Sequence, residues 1–300
     1  MRTIALAFIA LLLISCGQIG SRQQTGVQQE FRTGTQGLLL QFLPGTPPPR
    51  TYEGDPLIAT VEVTNKGAFD LSDGRLYLSG YDPTFLHFNT NAHTLSELEG
   101  KSLFNPDGLF SQSFDFEDQA VSMPDNSNKF SQTLKVTACY PYRTQATASI
   151  CVDSDPYAAR LTQKVCTIHP VAMGGGQGAP VAVTRVEQEA TRDRMQFKIY
   201  VQNAGGGDVI SPDAGFLNCH EGLDRRDIDK VQVTSVEFSG NEIRHTCEPN
   251  PIRLVNGQGY TFCRFDGRIS DEAFATALNI ALDYAYRQSI TTNIDVYEIE

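Results

Sequence analysis

The chain has 300 residues and a formal charge of −11, from 24 Lys and Arg against 35 Asp and Glu, with 7 cysteines and 5 histidines. No basic cluster interrupts this acidity, which argues against nucleic-acid binding and reads as a solvated exterior that an anionic membrane surface would repel. Charge alone names no partner.

Residues 1–15 carry one Arg at position 2, then the apolar run Ile4 to Ile14, then Ser15 before Cys16. A charged start, a short apolar core and a small residue at the end describe a secretory signal peptide, too short to span a bilayer. Leu13-Ile14-Ser15-Cys16 resembles the lipobox of prokaryotic lipoproteins, which implies that Cys16 becomes the lipidated N-terminus. Residues 16–36, rich in Gln, Gly, Ser and Thr, read as a flexible tether spanning roughly 25 Å.

The first folded unit is placed at 37–170. An apolar run from Gly37 to Leu43 opens it, and the proline-rich segment Pro44 to Pro56 belongs at a sheet edge or between sheets. Leu57 to Thr64 alternates as a half-buried strand and turns at Asn65-Lys66-Gly67. Leu76 to Leu78, Phe85 to Phe88 and the segment around Phe110, Phe114 and Phe116 read as further strands, with a loop over Asn89 to Asp107. Leu134 to Asp153 then reads as a hairpin turning near Gln145.

Gly174-Gly175-Gly176-Gln177-Gly178 marks a linker at 171–179, and a second unit is placed at 180–300. Its predicted strands are Val181 to Val186, Met195 to Val201, Val231 to Phe238, Ile252 to Val255 and Tyr260 to Phe265, with a turn at Asn203-Ala204-Gly205. Leu278 to Tyr297 (LNIALDYAYRQSITTNIDVY) aligns without a gap to Leu134 to Asp153 (LKVTACYPYRTQATASICVD), and VEVTNKGAFD at 61–70 echoes IYVQNAGGGD at 199–208. Two blocks recurring in the same order mean two copies of one β-unit.

With about seven short strands each, the copies predict an all-β chain of two tandem immunoglobulin-like β-sandwiches. The Val-x-Val-x-Asn-x-Gly block and the closing Tyr-x-Tyr resemble CARDB and related immunoglobulin-like modules of prokaryotic surface proteins. That resemblance implies a noncatalytic domain used for adhesion, spacing or assembly.

Setting Cys16 aside leaves six cysteines, Cys139, Cys151, Cys166, Cys219, Cys247 and Cys263, an even number that fits three disulfides in an exported protein. Cys139 and Cys151 both align with Asp in the second copy and lie equidistant from the expected turn, so a Cys139–Cys151 bridge is predicted. Cys247–Cys263 follows from two strands joined at Asn256-Gly257, and Cys166–Cys219 by elimination. Zinc at Cys219-His220 and His245-Cys247 competes, but adjacent ligands point to opposite faces of a strand. The acidic groups Asp115, Glu117, Asp118 and Asp224, Asp227, Asp229 complete no calcium loop. His87, His93 and His169 are scattered, and no catalytic or phosphate-binding motif is present, so no cofactor, metal or catalytic residue is expected. Tyr140, Tyr142, Tyr284 and Tyr286 recur at equivalent positions, which favours rings in the core over exposed sugar-stacking platforms.

The expectation is an exported, non-catalytic, lipid-anchored surface module for structure, adhesion or assembly. Its partners would be the membrane at its N-terminus, cell-envelope proteins or glycans, or further copies of itself. The alternative is an extracytoplasmic metal-binding protein or hydrolase with a site between the units.

Overall fold

A computed structural model describes residues 31–155, 164–216, 219–270 and 272–299. The expected signal peptide, Cys16 and residues 17–30 lie outside the described residues. The protein is all-β, and its strands pair antiparallel apart from one short parallel pair.

The first half forms β1 (Leu38–Phe42), β2 (Arg50–Tyr52), β3 (Leu57–Asn65), β4 (Gly74–Ser79), β5 (Ala92–Leu95), β6 (Ser111–Asp118) and β7 (Lys129–Val152). The second forms β8 (Val171–Ala172), β9 (Val181–Thr191), β10 (Arg194–Asn203), β11 (Asp208–Ile210), β12 (Lys230–Phe238), β13 (Asn241–Glu242), β14 (Ile252–Arg253), β15 (Gln258–Asp266) and β16 (Phe274–Tyr297). Period-two burial carries these assignments: in β3, Leu57, Ala59, Val61 and Val63 are fully buried while Ile58 between them is exposed. The proline-rich segment contributes only β2, laid parallel along the end of β16. Phe85 and Leu86 belong to a turn rather than a strand. The Asp82 carbonyl accepts both their N–H groups and its carboxylate accepts that of Thr84, an Asx turn set by Asp-Pro.

The repeated segments depart most from expectation. Neither is a hairpin. β7 and β16 are each one continuous 24-residue strand, about 80 Å long at 3.3–3.4 Å per residue. Around Gln145 the chain reads Arg-Thr-Gln-Ala-Thr, with no Gly, Asn, Asp or Pro to take a turn conformation, so the strand runs on. The two long strands pair with each other along their whole length, from Phe274 opposite Val152 to Tyr297 opposite Lys129.

This ladder has an internal two-fold. Pro141 stands opposite Ala285, and Pro141 also aligns with Ala285 in the repeat, so the symmetry axis passes through that pair. β4 pairs with β7 on one side of the axis, and β12 pairs with β16 at the equivalent place on the other. Each half therefore borrows part of the other half's long strand. The result is one broad nine-stranded sheet running β13-β12-β16-β7-β4-β5, with β2, β11 and β14 attached.

Two smaller sheets, β1-β3-β6 and β15-β10-β9-β8, lie over the same face of the broad sheet, where Leu38 of β1 bonds to Tyr140 and Val181 of β9 to Tyr284. One hydrophobic core runs through both halves, from Val61 and Leu134 to Phe197 and Leu278. The Gly-rich segment is pinned rather than loose. Gln177 is buried and exchanges two hydrogen bonds with the Val183 backbone, while Ala68 N–H donates to the Gly178 carbonyl at 2.7 Å.

Three disulfides cross-link the fold: Cys139–Cys219, Cys151–Cys166 and Cys247–Cys263. The expected Cys139–Cys151 bridge is corrected, and with it Cys166–Cys219. On a single straight strand, positions 139 and 151 are about 40 Å apart. Cys247–Cys263 forms as expected, next to the Glu248–Phe262 bridge, and the chain between reverses at Asn256 and Gly257, both in the left-handed region. Three disulfides belong to an oxidising, extracytoplasmic compartment. No helix among the described residues is long and apolar enough to cross a membrane.

Candidate functional site: an aromatic and cationic sheet face

The four repeated tyrosines meet at the two-fold axis, all buried, with neighbouring ring centroids 5.7–6.4 Å apart. Their hydroxyls do the same work twice. The Tyr140 hydroxyl accepts the Leu38 N–H at 3.2 Å, and that of Tyr284 accepts the Val181 N–H at 3.3 Å, each at the first residue of a sheet-forming strand. Tyr142 donates to Asn65 Oδ1 and Tyr286 to Asn203 Oδ1, both at 3.2 Å. Gln288 and Thr144, which align in the repeat, bond both to these tyrosines and to the Leu38 and Val181 carbonyls. A Cβ on Gly67 would overlap the Tyr142 hydroxyl, and one on Gly205 that of Tyr286. The Asn-x-Gly turn and the Tyr-x-Tyr strand are thus one locking unit. Burial pushes all four phenols up from their ordinary pKa, so they remain neutral donors.

Beside this lock, at the waist between the halves, lies a cavity of about 330 Å³. Gly37, Leu38, Pro180, Gly205, Tyr286 and Gln288 form much of its wall, with no carboxylate or imidazole among the described lining residues. Cys219 and Cys247 are committed to separate disulfides, and His220 stacks on Tyr77 at 3.7 Å. Among the described residues no group of three or more His, Cys, Asp or Glu is arranged to hold a metal. Asp118 is buried and accepts the His87 and Ala120 N–H groups. Asp224 is tied to Arg226, whose guanidinium holds its carboxyl down at about 2. Both are structural uses of acids.

The outward face of the β9-β10-β15 sheet is different. Tyr200 on β10 stands directly opposite Tyr260 on β15, with centroids 6.1 Å apart, and Phe262 follows at 5.4 Å edge-on. Alternation along β15 puts Tyr260 and Phe262 on one side of the sheet, 46% and 36% exposed. The Lys198 ammonium sits over the Tyr200, Tyr260 and Phe262 rings at 4.8, 4.4 and 5.4 Å, and Arg185 lies 4.3 Å from the Tyr200 centroid. The Tyr200 hydroxyl and Glu187 raise the Lys198 pKa, so its charge is firm at neutral pH. Two shallow hollows of about 340 and 450 Å³ flank Tyr200; Arg185 lines one, Arg253 the other, and neither is lined by an acid.

The matching face of the first half carries no such rings. There Thr60 donates to Asp115 and Ser111 to Glu62, a polar and acidic surface. The site does not stand out in the sequence because Tyr200, Tyr260 and Phe262 sit in ordinary alternating strands. The signal lay in their phase: they occupy the alternate positions to Ile199, Thr261 and Cys263, which point inward. No family model matches the chain, and no characterised protein is found to match it.

Proposed function

We propose that the protein is an exported, non-catalytic adhesion module, anchored by a lipid on Cys16, whose second half holds an acidic glycan of a cell envelope. The aromatic and cationic face on β10 and β15 carries this reading. Sugar rings present C–H faces that stack on Tyr and Phe, and the carboxylates or phosphates of an acidic polymer suit Lys198 and Arg253, beside Arg185, which is itself paired with Glu187 at 2.8 Å. A basic patch on a chain of charge −11 also orients an anionic ligand toward one face. In fold terms we read each half as an immunoglobulin-like sandwich related to CARDB modules, with its last strand lengthened and shared. A hydrolase between the halves would use paired carboxylates. The waist cavity offers amides, hydroxyls and backbone instead.

The test is binding of the purified protein to polygalacturonate and hyaluronate, with neutral dextran as control. Retention by the acidic polymers, salt-sensitive and weakened about tenfold or more in Tyr260→Ala/Phe262→Ala, is the expected result, equivalent to about 1.4 kcal/mol. Both rings are solvent-facing, so the variant retains its fold. Equal binding by variant and parent, or none by either, refutes the glycan reading.

A further inference from the structure

We infer that the loop Lys101–Phe110 is a membrane-contacting tip that rests in the headgroup layer of the bilayer holding Cys16; the inference rests on the lipid-anchor reading above. Leu103, Phe104, Leu109 and Phe110 are 56%, 98%, 70% and 49% exposed, an apolar patch on an otherwise acidic protein. The ten residues KSLFNPDGLF carry one Lys and one Asp, so the tip itself does not repel anionic headgroups.

Its exposure is built in. Ser102 and Asn105 exchange backbone hydrogen bonds at 3.0 and 3.2 Å, and the Ser102 hydroxyl accepts the N–H groups of Phe104 and Asn105. Asn105 is buried; its amide donates to the Gly100 carbonyl and its Oδ1 accepts the Leu109 N–H. The Phe104 side chain is thus held outward by a braced loop. At the base, Lys66 reaches the Asp107 carbonyl, and Lys101 supplies a second ammonium at the height where phosphates would lie.

The path of the chain identifies the occupant. Lys101 Nζ also donates to the Thr33 carbonyl at 3.3 Å, and Gly34 is fixed by bonds to Gly175 and Gly178. The N-terminal segment therefore joins the fold at the base of this loop. The 14 residues 17–30 can span at most about 50 Å. A lipid on Cys16 brings the bilayer to the side of the molecule where the tip projects. Interfacial apolar groups rest roughly 5–10 Å into the headgroup boundary.

The chain contains no tryptophan, so Phe104→Trp introduces a single one, excited selectively at wavelengths where its 11 tyrosines do not absorb. The full-length protein, purified from membranes, is reconstituted into phosphatidylethanolamine and phosphatidylglycerol vesicles with and without brominated acyl chains. Its mass at Cys16 and its flotation are read in the same samples. The expected result is a lipid-modified, floating protein whose Phe104→Trp emission is blue-shifted and mostly lost to the brominated chains. Lys135→Trp, on the opposite face of the broad sheet, stays unquenched. A lipid-modified, floating protein with unquenched Phe104→Trp overturns the tip and leaves the anchor standing. A blue shift without bromine quenching, accompanied by dimers in sizing, assigns the loop to a second copy and also overturns it. An unmodified Cys16 without flotation overturns the anchor reading, and the tip with it.

Discussion

Tyr284→Phe probes the lock at the two-fold axis with the least disturbance to packing. The ring stays and no cavity opens; only the hydroxyl goes. That hydroxyl accepts the Val181 N–H at 3.3 Å and shares a 3.0 Å hydrogen bond with Thr144 Oγ1, in a site closed to water. Thr144 keeps its 2.6 Å bond to the Val181 carbonyl, so the main loss is the acceptor for a buried N–H. Stranding such a group costs about 1–3 kcal/mol. At about 2 °C per kcal/mol, the lower end for a chain this long, Tm falls by roughly 2–6 °C.

The shape of the transition carries more information than its position. Because β7 and β16 pair over both halves, the second half cannot unfold without stripping the first of the end of β16. Guanidinium unfolding followed by far-UV and by tyrosine near-UV circular dichroism should therefore give one coincident transition, shifted as a whole. Tyr140→Phe, the repeat equivalent, should shift that same transition by a comparable amount. Two separated transitions, with each variant moving only one, would refute the shared-sheet account. A shift below about 0.5 kcal/mol in both variants would refute the lock.

The disulfides should rank by loop length: removing Cys139–Cys219, which closes 80 residues, costs about 4.5 kcal/mol on the chain-entropy account, against about 3 for Cys247–Cys263, which closes 16. Paired Cys→Ala variants compared by equilibrium unfolding check this ranking, and the reverse order would refute it. Alkaline stability follows from the tyrosines. Their folded pKa values lie above the ordinary value near 10, so above that pH the unfolded chain sheds protons that the folded chain keeps. Stability is whole below pH 10 and falls above it, by about 1.4 kcal/mol per pH unit for each tyrosine. Urea titrations from pH 8 to 11 should show this slope, shallower in Tyr142→Phe/Tyr284→Phe.

The strands, the internal duplication and the even cysteine count were legible because each is a local or repeated pattern. Leu57 to Thr64 alternates in the sequence and alternates in burial. The hairpin expected at Gln145 does not form, and the contrary signal is in the sequence: Arg143-Thr-Gln-Ala-Thr contains no Gly, Pro, Asn, Asp or Ser, and Arg287-Gln-Ser-Ile-Thr contains only Ser289 of that set. An alternating run of this length fits a hairpin or one long strand equally well, and only the partner decides. That partner lies far away in the chain, beyond any local pattern. The cysteine pairing failed for the same reason, since it assumed the hairpin. The aromatic and cationic face is not legible because a strand's period shows which residues share a side, but not which side meets solvent.

The duplication also accounts for one of the two aligned positions at which the first copy has Cys and the second Asp, Cys139 and Asp283. Across the β7–β16 ladder, Arg143 faces Asp283 and forms a two-pronged ion pair at 2.6 Å. The symmetry-related pair is Arg287 with Cys139. There the carboxylate is gone, and Arg287 turns to Asp208 and to the carbonyl of Cys219, the residue bonded to Cys139. An ion pair on one side of the axis is thus matched by a disulfide with a re-partnered arginine on the other. Positions that build the scaffold stay alike across the axis, as with Tyr140 and Tyr284 or Asn65 and Asn203, because both halves need the same lock. Positions free of that demand have diverged. The strand β15 follows a tight turn at Asn256-Gly257, while its counterpart β6 follows the long loop ending in Leu109 and Phe110. The outward residues of β10 and β15 include aromatic and basic side chains where those of β3 and β6 are polar and acidic. Symmetry in this chain marks what holds it together, and its breaking marks the surfaces where a ligand and a membrane would be met.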